Sequence, residues 1–210
     1  MQRLSLILGF ATLGALWLGP LPRLAAHSFA AHMGLHMGVV AIASGFLAIG
    51  AVGTRFDLAR LSPRLVAPIP ASALELIIVW AWHAPALHHA ARHHWAGLIA
   101  EQGLFLASGF LVWISAFGGD AKRDPSRTGA GVLGLLLTSM HMTLLGALLA
   151  LAPRPLYVHG QVAGGLSALD DQHLGGAIML FVGGLSYLAG GLWLTRSLLL
   201  QRSAQLEAKP

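Results

Sequence analysis

Six apolar stretches dominate this chain of 210 residues and leave it little choice of fold. A helix rises 1.5 Å per residue, so about 20 apolar residues cross the hydrocarbon core of a bilayer. The stretches cover about 4–19, 31–53, 70–90, 95–117, 128–151 and 172–194. The alternating pattern of a membrane β-barrel is absent. The sequence therefore predicts an all-α, polytopic membrane helical bundle of about six transmembrane helices. It reads as one domain over 1–210, with a short cytoplasmic tail from about 198. The first stretch reads as an uncleaved anchor rather than a signal peptide cut after Ala26. Pro85 cannot donate to the carbonyl of Ala81, so the third span should bend or loosen there. Glycine pairs in the last span (Gly175-Gly176, Gly183-Gly184, Gly190-Gly191) offer a thin face for close helix packing.

Loop charge sets the orientation. The N-terminus, the 54–69 and 118–127 loops and the tail hold Arg3, Arg55, Arg60, Arg64, Lys122, Arg123, Arg127, Arg196, Arg202 and Lys209. The opposite loops hold only Arg23, Arg92 and Arg154. The positive-inside rule then puts both termini in the cytoplasm. Basic residues spread through short loops do not point to nucleic acid, despite the net charge of +5.

This topology sorts the 11 histidines to one side. His27, His88, His89, His93, His94 and His159 fall in outer loops or at the outer surface. His32, His36, His83 and His173 fall in the outer turns of their helices, and His141 lies deeper. Met33, Met37, Met140, Met142 and Met179 follow the same rule. A function in the outer half of the bilayer explains such a bias, because ionisable groups inside membranes are costly and usually functional. With no cysteine, any metal must bind through His, Met, Asp, Glu or backbone.

The hexapeptide His32-Met33-Gly34-Leu35-His36-Met37 opens the second span. Its histidines and methionines share about 140° of helical arc. Imidazole suits copper, zinc and iron, and thioether favours Cu(I). A plainer alternative is a wet helix end with gap-filling methionines. His36 lies about one turn in, His83 about 10 Å in and His141 about 16 Å in from their outer helix ends. These depths overlap, so His32, His36, His83 and His141 are the candidate ligands, supported by Met33, Met37 and Met140. The alternative is that each histidine makes one hydrogen bond between helices.

Around them, Glu101 with Gln102 is placed to orient a ligand, and Glu75 is too far from His83 to share a metal with it directly. Glu75 reads equally as a buried, hydrogen-bonded carboxylate. Asp171 is expected to cap its own helix, with the option of orienting His173 or another histidine. His88-His89 and His93-His94 read first as a solvated interfacial segment and second as a metal-collecting rim. No nucleophile elbow, phosphate loop, HExxH or dinucleotide fingerprint is present.

Five motifs in order resemble the CtaG-type cytochrome c oxidase assembly proteins: the hexapeptide at 32–37, Ala81-Trp82-His83-Ala84-Pro85, Glu101-Gln102-Gly103-Leu104-Phe105, Met140-His141-Met142 and Asp171-Gln172-His173-Leu174-Gly175-Gly176. Leu144-Leu145-Gly146-Ala147 and Pro155-Leu156-Tyr157 fit as well, and the resemblance covers about 30–195. A Glu-His pair associated with the family reads Glu101-Gln102 here, and six spans replace the more usual seven. The resemblance implies a multi-pass bacterial inner-membrane protein that delivers copper, as Cu(I), to the catalytic subunit of a haem–copper oxidase. Its implied partners are the lipid bilayer, that subunit and a periplasmic copper donor. It implies a chaperone of the respiratory chain and not an enzyme, with His32, His36, His83 and His141 as copper ligands. Three rivals remain at this level: a haem-binding electron-transfer protein, a ligand-free structural subunit of a respiratory complex, and a copper permease. The permease would need metal sites on both faces, against the one-sided histidines.

Overall fold

The computed structural model describes residues 2–64, 66–119, 124–157 and 165–207. Of the expectations above, those on His159, Lys122, Arg123 and Lys209 lie outside the described residues. Helix makes up 84% of the chain and no strand occurs among the described residues. The elements are α1 (Gln2–Leu18), α2 (Leu21–Ala25), α3 (Phe29–Met37), a π-helical segment (Gly38–Ala43), α4 (Ser44–Ala51), α5 (Leu58–Leu61), α6 (Pro68–His83), α7 (Pro85–His93), α8 (Trp95–Phe117), α9 (Pro125–Ala150) and α10 (Ala168–Glu207).

Four helical rods are long and apolar enough to cross a membrane: Phe29–Ala51, Trp95–Phe117, Pro125–Ala150 and a 168–201 stretch of α10. The pair α6–α7 would make a fifth, but it bends by 72° between His83 and Pro85. Ala84 is extended there (φ −64°, ψ 134°), as the residue before a proline prefers. α1 is apolar but has 17 residues, about 25 Å of rise. The six sequence stretches thus reappear as helices, with one broken and one short. α10 runs to Glu207, well past 194 and through the expected tail. No proline or glycine follows Gly191 before Lys209, so nothing in the sequence stops it.

Proline and polar caps set the starts. Ser28 Oγ accepts from Ala31 N at 3.1 Å and Asp124 caps α9, with Pro125 at its first position. α10 packs most extensively on α9 and also on α3, while α6 lies between α8 and α9. Glycine permits the tightest of these contacts. A Cβ on Gly146 would lie 2.7 Å from the backbone nitrogen of Leu180. Gly183 and Gly190 receive Met37 with Met142, and Trp113, respectively.

The π-helical segment has a local cause. Ser44 N–H reaches back to Val39 O, which leaves Val40 O free of its usual helical donor. Val40 O instead accepts from Ser44 Oγ at 2.5 Å and from the Tyr187 hydroxyl at 3.0 Å.

Candidate metal centre

Four elements bring polar side chains to one end of the bundle. α3 supplies His32 and His36, one turn apart on the same stripe. α6 ends on His83, and the bend at Ala84 folds α7 back so that His88 turns inward. α8 supplies Glu101 and Gln102. All six are buried.

They form two layers. In the upper one, ligand atoms from His32, His88 and Glu101 all lie within 4.8 Å of one another. His32 Nε2 is 3.4 Å from Glu101 Oε1, and the His32 and His88 rings meet edge to face at 5.0 Å. Gln102 Nε2 donates to Glu101 Oε2 at 3.2 Å, and Trp17 Nε1 donates to Gln102 Oε1 at 3.3 Å. This chain fixes where the carboxylate points. In the lower layer the His36 and His83 rings are 5.2 Å apart, and Phe105 packs 3.9 Å from His36.

Hydrogen bonding assigns the lower-layer atoms. The backbone carbonyl of Val79 lies 2.6 Å from His83 Nδ1, so that nitrogen carries the proton and donates. Nε2 is left with its lone pair, buried, and with no hydrogen-bond partner among the described residues. Both ring nitrogens of His36 are likewise buried without such a partner. Buried polar atoms are satisfied in the great majority of cases, so these nitrogens are open to an additional partner, a water or an ion. A backbone carbonyl holding the far nitrogen of an imidazole is the usual outer support of a metal-binding histidine. Imidazoles and a carboxylate fit a first-row transition ion, and three elements already supply the number of donors such an ion takes.

A roof closes the site. Phe29 stacks on Tyr157 at 4.6 Å and His88 packs 4.4 Å from Tyr157. The Tyr157 hydroxyl donates to the His83 carbonyl at 2.6 Å. Burial pushes its pKa up to about 12, so it keeps its proton at any physiological pH.

The structure separates several residues that the sequence grouped together. His141 is not with His36 and His83. Its Nε2 lies 3.7 Å from Glu75 Oε2, and Glu75 is eight positions before His83, about 12 Å of helical rise away. Glu75 Oε1 is 2.7 Å from the Tyr187 hydroxyl, making a second polar cluster deeper in the bundle. Met33 and Met37 are buried but face α10 at Gly175 and Gly183, because each follows its histidine by 100° of rotation. Met140 is 68% exposed, on the outside of α9, and Met142 is the buried member of that pair.

The residues read as orienting groups also divide. Glu101 belongs to the site. Asp171 holds no histidine and caps a helix other than its own. It accepts from Ser28 Oγ, Phe29 N and Ala30 N at the start of α3. His173 Nε2 lies 2.9 Å from the Ala152 carbonyl, a loop contact outside the cluster. His88, which the sequence grouped with a solvated interfacial segment or a metal-collecting rim, is instead buried in the upper layer, beside three histidines that stay exposed at the rim. Helical periodicity was the available signal, since His88 and Ala91 form the buried stripe of α7.

Comparison with known proteins identifies the family. No curated protein and no solved structure matches the chain. A family model for the cytochrome c oxidase caa3 assembly factor matches residues 1–200. With nearly the whole chain covered, the protein belongs to the cytochrome c oxidase caa3 assembly factor family.

Proposed function

We propose that this assembly factor carries copper, as Cu(I), in the buried histidine cluster and hands it to the catalytic subunit of its oxidase. The observation that carries the reading is His36, whose two ring nitrogens are both buried and unbonded among the described residues, with its ring 5.2 Å from that of His83, whose Nε2 is likewise unbonded among them. His32, His88 and Glu101 supply the neighbouring layer, one turn nearer the surface. Met33 and Met37 serve as packing against α10. Cargo passes by ligand exchange, so no substrate bond breaks and the protein is not an enzyme.

In this reading the histidine end faces the outer, periplasmic side of a bacterial inner membrane, an orientation that the loop charges support. A site at this depth meets a client's metal site sideways, between two helix bundles. The tilted His36–His83 pair at 5.2 Å suits a small ion. It leaves no room for a porphyrin plane between two axial imidazoles. The test is metal analysis of protein purified under reducing conditions, unaltered and as His36→Ala/His83→Ala. Stoichiometric copper lost in the variant is the expected result, together with a copper-poor oxidase in cells carrying it. Equal copper in both proteins would sink the proposal.

A further inference from the structure

Helix α7 carries two parallel rows of side chains. His88 and Arg92 form the inner row, four residues apart, and His89 and His93 form the outer row with the same spacing. The outer pair is exposed, and its imidazole rings stand 4.0 Å apart. A cavity of about 280 Å³ lies over this helix, lined by His88, His89, Arg92, His93 and Tyr157 among others. It therefore joins the exposed imidazoles to a buried one. His88 is also a member of the upper metal layer with His32 and Glu101.

We propose that His89 and His93 form a capture site for Cu(I) at the mouth of the bundle, which passes the ion to His88 and so into the buried cluster. The inference rests on the copper reading above. Two imidazoles at i and i+4 offer lone pairs toward one point, and they give an ion two bonds while it sheds water. Arg92 closes the floor of the cavity. Its Nε donates to His88 Nε2 at 3.4 Å, and its guanidinium also donates to the Ala25 carbonyl. The bond to His88 is long and so weak. An arriving ion displaces it, and the freed N–H turns to water. Transfer is then ligand exchange without a change of oxidation state. A bond from His89 or His93 nitrogen to copper breaks as one from His88 forms.

The test is stopped-flow loading of the purified full-length protein from a chromophoric Cu(I) chelator. Removing the capture step makes loading depend on direct encounter with the buried layer. His89→Ala/His93→Ala should therefore load about tenfold more slowly or worse, while the copper held at equilibrium stays at the unaltered level. His36→Ala/His83→Ala should keep a weaker copper signal that falls further when His89→Ala/His93→Ala is added. Both rim residues are exposed, so their loss leaves the core packed. Equal loading rates with full final copper would overturn the capture site and leave the buried site standing. Loss of the final copper in the rim variant would overturn it too, by making the rim the store. Unaltered protein that takes up no copper overturns this inference together with the reading it rests on.

Discussion

Asp171→Ala is the perturbation whose cost can be worked most directly from the structure. The carboxylate sits on α10 but serves α3, 142 positions away from Phe29. Oδ2 accepts from Phe29 N at 2.5 Å, and Oδ1 accepts from Ser28 Oγ at 2.7 Å and Ala30 N at 3.2 Å. Ser28 Oγ in turn accepts from Ala31 N at 3.1 Å. One side chain therefore organises the free N–H groups of a helix start, where a negative charge also suits the dipole. Alanine leaves two buried backbone donors unpaired, at about 1–3 kcal/mol each. It also removes the dipole interaction, worth up to about 2 kcal/mol in a partly buried setting. The total is on the order of 4 kcal/mol. For a chain of this size that corresponds to a fall in Tm of roughly 8–16 °C. Asp171→Asn keeps one acceptor and should fall between the two. The assay is thermal unfolding in detergent, followed by tryptophan fluorescence. A fall of less than about 2 °C in Asp171→Ala would refute the reasoning, by showing that water or a neighbour replaces the cap.

Three further substitutions separate packing from the proposed copper site. Tyr187→Phe removes the hydroxyl beside both Val40 O and Glu75 Oε1, costing about 1–3 kcal/mol; an unchanged Tm would mean that neither bond stabilises the fold. Met140→Ala should leave copper content unaltered while Met142→Ala lowers Tm, since Met140 faces outward and Met142 is buried. Copper loss from the Met140 variant would restore this residue to the ligand set.

The sequence made the helices legible because runs of apolar residues, proline and glycine act locally. Pro85 marked the bend, although nothing local says that the bend folds α7 back over the bundle by 72°. The site was half legible for the same reason. His32 and His36 share a stripe by periodicity alone, but which partner a stripe meets depends on tertiary packing. Depth along a helix grouped His141 with His83. The structure sets His141 deeper, against Glu75, about 12 Å of helical rise from His83. The methionines were misplaced by rotation about the helix axis, because a residue one position along points 100° away. Asp171 was legible as a helix cap, but not as the cap of a helix from the far end of the sequence.

The deeper cluster explains why the upper one can be held so sparely. Val40 lies one turn below His36, Glu75 two turns below His83, and Tyr187 connects them from α10. A phenol carries one proton, so Tyr187 donates to one of Val40 O and Glu75 Oε1 at a time. Its hydroxyl lies within reach of both, and so ties α6, α10 and the π-helical segment at one fixed depth. The π-helical segment is what makes the Val40 carbonyl available, and Gly109 is what lets α8 approach it, since a Cβ there would lie 2.8 Å from Ser44 Oγ. Polar groups buried between helices are a poor source of stability but a good source of register. Register is what the upper site needs. Sliding α3 against α6 by one residue rotates His36 by 100° away from His83 and dismantles the pair. Among the described residues the Glu75 cluster has one imidazole and one carboxylate, too few to close round an ion. Its position between the site helices, rather than its own ligands, is what fixes the geometry of the cluster above it.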